Sequence, residues 1–180
     1  MWQIKGRAIL IFIIIQTICF ASMICLPLQF WNYFKDNLFS CLLCFPIAIL
    51  AYFTCLLSAY RILLYFYPIT GGIKREGMKN QTGYEVYCMM MLFILPLIVT
   101  EALPIPLLRV LYSLLGAKIG QGSFGGAILY DPALTEIGSN TVFSSKAVIC
   151  PHEGHAETGF FHKIKVGNRV TLGQGCFLSP

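Results

Sequence analysis

Two different hydrophobic patterns divide the chain. Up to about residue 115, apolar residues form long runs with few charged residues. From Lys118 to Pro180, an aliphatic or aromatic residue followed by a small one recurs at intervals of six. Long apolar runs are typical of membrane helices, whereas a period of six fits neither the 3.6 of a helix nor the 2 of a flat strand. The second pattern therefore predicts a chain that turns a corner after every six residues.

The six-residue repeat begins at Ile119 and keeps its register in two runs. They are marked by Ile137, Phe143 and Ile149, and then by Val166, Leu172 and Leu178. A small or compact side chain stands four residues after most of these starts: Ser123, Thr141, Ala147, Val170 and Cys176. In a three-sided coil the aliphatic residue points inward, and the small residue fits inside beside it. The repeat thus predicts a triangular β-coil over residues 118–180.

The repeat is interrupted between Ile149 and Val166, which predicts a loop at 150–165 that leaves the coil. All three histidines of the chain, His152, His155 and His162, lie in this interval. Neutral imidazole is the side chain best matched to accept a proton near pH 7. The loop is therefore the predicted location of the chemistry.

Two apolar runs predict transmembrane helices within residues 1–67, from Ala8 to about Leu28 and from about Leu38 to Tyr60. Each exceeds the roughly 20 residues needed to cross about 30 Å of hydrocarbon. The whole chain is 57% hydrophobic and only 12% charged, which places it in a membrane. A cleaved signal peptide is the alternative for the first run, but that run is longer than the ~7–15 apolar residues of a signal core.

A third apolar stretch, Val86 to Thr100, lies between Glu85 and Glu101 and contains Pro96. As a helix it would reach only about 22 Å. An amphipathic stretch follows at 107–115. We therefore predict a re-entrant or interfacial helical segment at 86–117 rather than a third span.

The distribution of basic residues predicts the orientation of the chain. Lys5 and Arg7 precede the first span, and the predicted loop 68–85 is also basic. Both are therefore expected in the cytoplasm, together with the β-coil if the third stretch does not cross. The net charge of +5 is explained by basic residues that flank the membrane spans and face anionic lipid head groups. The sequence contains no motif that combines aromatic and basic residues as nucleic-acid-binding modules do, so we expect no nucleic-acid partner.

Four motifs lie in and just before the repeat region: the segment Leu114–Gly120, Asp131-Pro132 ahead of Thr135–Gly138, a Gly-His with a nearby Glu, and Lys165-Val166-Gly167. With these motifs the chain resembles the hexapeptide-repeat acyltransferases, in the membrane-attached branch found as terminal domains of some non-ribosomal peptide synthetases. The resemblance is strong over the last third of the chain and weak over 83–115. It implies a fold of membrane α-helices followed by a short, all-β, left-handed parallel β-helix. It further implies a homotrimer that transfers an acyl group, such as acetyl, from acetyl-CoA or another acyl-CoA to a hydroxyl or amine, without a metal.

The resemblance also implies roles for residues of the loop. The element Gly154-His155-Ala156-Glu157 matches the position of the general base, which is then His155, with Glu157 as the carboxylate that orients it. His152 is the rival base, because His152-Glu-Gly-His155 aligns in two registers. Glu153 and Asp131 are the next carboxylates and are expected on the substrate side of the site.

The CoA thioester requires cations for its phosphates and backbone donors for its pantetheine arm. Lys163, Lys165 and Arg169 are suitable cations, and Gly173 and Gly175 provide exposed backbone corners. The alternative is that these residues form only a solvated edge of the coil. The membrane spans point to a lipid-linked or membrane-proximal acceptor, because a soluble acceptor does not require a loop held against the bilayer.

Two other functions compete with acyl transfer. A zinc enzyme like the γ-type carbonic anhydrases would use three imidazoles, although two of the three histidines here are close neighbours in one loop. The other alternative is a non-catalytic anchoring or trimerising domain. It is suggested by about three coils that stop within a repeat, without a polar cap.

Overall fold

The computed structural model describes residues 5–33, 38–69, 81–154 and 159–180. In the first part of the chain, the described residues form four helices: α1 Gly6–Tyr33, α2 Leu38–Phe66, α3 Gln81–Val99 and α4 Ile105–Leu114. The first three are long and apolar enough to cross a membrane, judged by length and composition. Each of the three contains a proline, which helices of this kind tolerate when neighbouring helices satisfy the freed backbone groups. Both predicted apolar runs are thus helical, and each helix extends beyond its predicted bounds.

Helix α3 begins at Gln81, inside the segment 68–85 that the sequence predicted as a loop. Glu85 looked like the polar boundary of the apolar stretch, yet it is buried within the helix. Its carboxylate Oε2 accepts a hydrogen bond of 2.9 Å from the backbone N–H of Lys5, at the start of α1. The helix therefore has 19 residues instead of the predicted 15 or so.

The start of α3 and the end of α4 lie at the same end of α2. The backbone of Gly83 packs directly on Tyr67, just beyond α2. The Tyr60 hydroxyl, in the last two turns of α2, donates a 3.1 Å hydrogen bond to the carbonyl of Leu115. Helices α3 and α4 consequently form a hairpin that returns the chain to the end of α2 from which it departed. Lys5 at Glu85 places the start of α1 at this same end.

Beyond α4, eleven short strands lie within the ranges that the structure describes. They are β1 Lys118–Ile119, β2 Phe124–Gly125, β3 Ile128–Leu129, β4 Thr135–Ile137, β5 Val142–Phe143, β6 Val148–Ile149, β7 His152–Gly154, β8 Gly159–Phe161, β9 Ile164–Val166, β10 Thr171–Leu172 and β11 Phe177–Leu178. Nine of them build three parallel three-stranded sheets, ordered β1-β4-β9, β2-β5-β10 and β3-β6-β11. The chain visits the three sheets in rotation, three times. This is the three-faced coil that the six-residue period predicted.

The residues that marked the repeat are the residues that stack. Ile119 pairs with Ile137, which pairs with Val166. Phe143 pairs with Leu172, and Ile149 pairs with Leu178. The first coil is irregular, because its stacking positions on the second and third faces are Gly125 and Leu129, only four residues apart.

Polar side chains inside the coil link successive turns. Ser123 and Thr141 are fully buried at the predicted small-residue positions. The Ser123 hydroxyl donates to the carbonyl of Gly138 at 2.6 Å and accepts from the N–H of Thr141 at 2.9 Å. The Thr141 hydroxyl continues the series to the carbonyl of Gly167 at 2.8 Å. Because each hydroxyl is paired, these groups are buried without an unsatisfied polar atom.

Helix α4 fastens the coil to the other helices. The Arg109 guanidinium donates to the carbonyls of Ser123 and Gly120, the latter at 3.0 Å. The buried Tyr112 hydroxyl donates to the carbonyl of Ala127 at 2.6 Å and accepts from the N–H of Leu129 at 3.3 Å. Each contact joins a side chain of α4 to the backbone of the first coil, so the coil and α4 form one unit.

Replacing Tyr112 by phenylalanine is expected to destabilise the protein by about 1–3 kcal/mol, because two buried backbone groups lose their partner. Thermal unfolding of the purified protein measures this as a decrease in melting temperature. The matched control is Tyr65→Phe, since Tyr65 is 83% exposed. Equal melting temperatures for the two variants would contradict the assigned role of Tyr112.

Candidate functional site

The predicted loop is an antiparallel ribbon that leaves the coil between the second and third turns. Strands β7 and β8 pair in it, with His152 opposite Phe161. The ribbon starts directly after β6 and ends shortly before β9, so its base is anchored on two different faces of the coil. His152 is the first residue of the ribbon and therefore lies where the ribbon meets the coil.

At this junction His152 contacts Asp131, a residue of the preceding turn. The imidazole Nδ1 and the carboxylate Oδ2 are in direct hydrogen-bonding contact. Asp131 is only 4% exposed, whereas the His152 side chain is half-buried. The local backbone fixes Asp131, because its carbonyl accepts from the N–H of Leu134 at 3.0 Å and from the Thr135 hydroxyl at 3.2 Å. Pro132 follows and starts a short 3₁₀ turn, Pro132–Leu134, which forms the corner.

The pair determines the protonation behaviour of His152. The hydrogen bond to Asp131 raises the pKa of the imidazole, and this outweighs the effect of burial, which lowers it. With Nδ1 donating to the carboxylate, Nε2 is the ring nitrogen that accepts a proton. A buried carboxylate behind an accessible imidazole is the arrangement that stabilises an imidazolium when one forms.

Two further side chains surround the His152 ring. The Tyr130 ring lies nearly perpendicular to it, with 6.2 Å between centroids. The Cys150 sulfur is 3.7 Å from Nε2 and donates to the carbonyl of His152 at 3.4 Å. Burial raises the pKa of the Cys150 thiol, so it stays protonated near neutral pH. Cys150 therefore packs beside the imidazole as a neutral group and is not an activated nucleophile.

Of the predicted site residues, the structure brings together His152 and Asp131. His155 and Glu157, the first choices for base and orienting carboxylate, lie outside the described residues. Glu153 is in β7, opposite Phe160, and its side chain also falls outside the described part. His162 is exposed, and its backbone N–H donates to the carbonyl of Pro151 at 2.9 Å.

The lysines predicted for the CoA phosphates, Lys163 and Lys165, converge on the carboxylate of Glu136, which was not among the predicted site residues. Glu136 contacts Lys163 at 2.5 Å, Lys118 at 3.1 Å and Lys165 at 3.5 Å. The register of the repeat could have predicted this cluster. Lys118, Glu136 and Lys165 each directly precede a residue of one stack, formed by Ile119, Ile137 and Val166, so they lie side by side on neighbouring strands. Three cations on one anion leave this face of the coil positively charged.

The remaining residues predicted for CoA lie on the third turn. Arg169 has a left-handed backbone with φ of 56°, and its N–H donates to the carbonyl of Ser139 at 2.9 Å. Gly175 also has a positive φ, of 72°. A side-chain carbon placed on Gly173 or on Gly175 would meet no atom within 4 Å, so both corners are open.

The ion pairs of Glu136 predict a pH dependence of stability. Hydrogen bonds from Lys163 and then Lys118 lower the pKa of Glu136 from 4.5 to about 2. Because the folded pKa lies below the unfolded one, the stabilisation is present above about pH 4.5 and is lost as the pH falls towards 2. The melting temperature of the wild type should therefore fall more over this range than that of Glu136→Gln. Parallel curves would contradict the expectation.

The corner formed by Asp131 and the turn Pro132–Leu134 is also where the coil meets the apolar helices. Gly116, just after α4, lies beside both Leu64 of α2 and Ala133 of the 3₁₀ turn. The Tyr60 and Tyr87 rings, from α2 and α3, pack at 5.3 Å, and the Tyr60 hydroxyl donates to the carbonyl of Leu115, the residue before Gly116. The His152–Asp131 pair is thus close to the helices and not at the far end of the coil.

Comparisons of the chain with protein-family models, with curated proteins and with solved structures found no match. Among the described residues, no group of three or more His, Cys, Asp or Glu side chains is arranged to hold a metal ion.

Proposed function

We propose that the protein is a membrane-embedded acyltransferase of the hexapeptide-repeat type, with a left-handed β-helix. It would move an acyl group, such as acetyl, from acyl-CoA to a hydroxyl or amine of a lipid-linked or membrane-proximal acceptor. The observation that carries the proposal is the pairing of His152 with the buried Asp131, at a corner of the coil next to the helices. A base with an orienting carboxylate is what acyl transfer to a hydroxyl requires.

In the proposed reaction, Nε2 of His152 removes the proton of the acceptor hydroxyl as its oxygen attacks the thioester carbonyl carbon. The tetrahedral intermediate then expels the CoA sulfur, so that an oxygen–carbon bond forms and the carbon–sulfur bond breaks. The imidazolium returns its proton to the departing sulfur, which leaves as the CoA thiol. Asp131 acts as a positioning residue, because it holds Nδ1 and stabilises the imidazolium between these two steps.

The assignment of the base differs from the one implied by the resemblance. The resemblance favours His155, whereas the contact with Asp131 favours His152. Alanine variants at the two positions separate the alternatives, because only the variant that removes the base should abolish the chemical step.

The arrangement of the helices supports a cytoplasmic active site. The α3–α4 hairpin returns the chain to the end of α2 that also holds the start of α1. In the proposal, the hairpin is a re-entrant element, and the positive-inside rule assigns the start of α1 to the cytoplasm. Acyl-CoA is available on that side. The positively charged face around Glu136 and the open corners of the third turn are the proposed contacts for CoA, in a groove that the resemblance places between subunits of a trimer.

The proposal is tested by measuring CoA release from acetyl-CoA by the full chain in lipid nanodiscs, with lipid-linked hydroxyl and amine compounds as acceptors. We expect release that depends on the acceptor. Absence of release with every acceptor and acyl-CoA, together with no shift of the melting temperature by CoA, would favour the non-catalytic anchoring role.

The pH dependence of the reaction gives a more specific prediction. Because the general base must be neutral, the rate should fall as the pH drops below the raised pKa of His152. Asp131→Asn removes the cause of that raised pKa. In the pH–rate profile of this variant, the fall in rate on the acid side should therefore occur at a lower pH than in the wild type, and the maximal rate should decrease. A decrease in rate without this shift to lower pH would mean that Asp131 has only a structural role.

A further inference from the structure

A groove lined only by apolar side chains lies between α2 and the α3–α4 hairpin. Its volume is about 520 Å³, within the ~300–1,000 Å³ typical of small-molecule sites. Along α2 it is lined by Pro46, Ile49, Leu50, Phe53 and Leu57. These residues span roughly 16 Å of helix, about half of the ~30 Å hydrocarbon thickness of a bilayer. The groove therefore matches the depth of one lipid leaflet.

The groove has a definite direction. Ile94 and Leu97 of α3 line it far from the coil, and Leu111 and Leu114 of α4 line it towards the coil. Leu114 immediately precedes Leu115, whose carbonyl accepts from Tyr60 beside the Asp131 corner. One end of the groove thus lies at the level of the candidate active site.

A cation stands at this same end. Arg61 follows Leu57 by one helical turn and Leu50 by three, so the three residues share one face of α2. Arg61 is exposed, and no other described residue makes a hydrogen bond or an ion pair with it. An apolar groove of one leaflet's depth that ends at an exposed guanidinium is complementary to a hydrocarbon tail joined to an anionic head group.

We propose that the groove and Arg61 bind one membrane lipid with a phosphate head group, the tail along α2 and the phosphate at the guanidinium. The inference rests on the proposed function for one point only, namely that this lipid, or a carrier built like it, brings the acceptor to His152. Binding itself is independent of catalysis and can be measured without it.

The test uses the full chain in phosphatidylcholine nanodiscs that contain a minor fraction of a photoreactive lipid with a diazirine in its acyl chain. One sample contains phosphatidic acid as the probe, and the other contains phosphatidylcholine with the same tail. After irradiation, mass spectrometry locates the labelled peptides. We expect phosphatidic acid to label the 46–57 and 107–114 segments about fivefold more than phosphatidylcholine does.

Two variants separate the contributions of head group and tail. Arg61→Gln should remove the preference for phosphatidic acid and leave labelling by phosphatidylcholine unchanged, whereas Arg7→Gln, a cation at the start of α1, should change neither. Leu57→Trp should fill the groove and reduce labelling by both lipids. Labelling that is equally strong on the outward face of α1, at Ile13 and Phe20, would show only bulk lipid contact and overturn the inference, as would an unchanged preference in Arg61→Gln.

His152→Ala distinguishes failure of the inference from failure of the proposed function. This variant should keep wild-type labelling while losing CoA release. Labelling of the groove without CoA release in the wild type would refute the transferase and leave the lipid site standing. CoA release without labelling of the groove would refute the lipid site alone.

Discussion

Replacing His152 by alanine is expected to lower the rate of acceptor-dependent CoA release by ~10²–10⁴-fold, the usual contribution of a general base. The physical reason is that, among the residues that the structure describes, His152 is the base whose imidazole is held by the buried Asp131 carboxylate. The rate is measured with the full chain in nanodiscs at saturating acyl-CoA, so that a change in donor binding does not contribute.

The matched control for this prediction is His162→Ala. His162 belongs to the same excursion from the coil, its side chain is exposed, and its backbone N–H donates to the carbonyl of Pro151. It should retain the wild-type rate. If His152→Ala retained that rate and His155→Ala abolished turnover, the base would be His155, and the assignment built on Asp131 would be wrong.

The largest expected loss of stability comes from Gly125→Ala. A side-chain carbon on Gly125 would lie 1.9 Å from the carbonyl oxygen of Phe143, its partner in the next turn. Neither atom can move without breaking the pairing of β2 with β5. We expect a destabilisation of more than about 4 kcal/mol, the range of severe core mutations, and with it loss of the strand signal in circular dichroism.

Gly173→Ala is the control for Gly125→Ala. Gly173 follows directly after β10, in the third turn of the same sheet, and an added carbon there meets no atom within 4 Å. Its melting temperature should stay close to that of the wild type. Similar melting curves for the two variants would mean that the first coil is not packed as tightly as the contact between Gly125 and Phe143 requires.

The six-residue period predicted the β-coil because it reports which side chains must point inward. The stacks of Ile137 on Val166 and of Ile149 on Leu178 follow directly from it. The handedness of the coil and the family remain part of the proposal, since a repeat of inward-facing residues is equally compatible with either sense of winding.

The contact between Asp131 and His152 could not be predicted by assuming that the six-residue repeat continues without interruption. Turns of 18 residues would place Asp131 level with Ile149. In the structure the third face of the first coil is displaced by two residues, so that Ile128 pairs with Val148 and Asp131 is level with Pro151, next to His152. The displacement arises because the stacking positions Gly125 and Leu129 are four residues apart instead of six. The sequence does not reveal this, because a glycine occupies the position where the repeat would have an aliphatic residue.

The start of α3 was predicted too late for a different reason. A glutamate at the edge of an apolar stretch normally marks the boundary with water. Glu85 is buried instead, because the backbone N–H of Lys5 satisfies its carboxylate across the bundle. A contact between residues so far apart in sequence leaves no trace in a local pattern of hydrophobicity.

In the proposed function, the attachment of α4 to the first turn restricts how the acceptor approaches the site. Arg109 and Tyr112 hold the backbone of the first coil, and Tyr60 holds the end of α4 against α2. The corner at Asp131 is therefore held at a fixed distance from the helical bundle. In the proposed function, this distance selects acceptors: a molecule whose hydroxyl or amine lies nearer to or farther from its hydrocarbon tail would not reach His152.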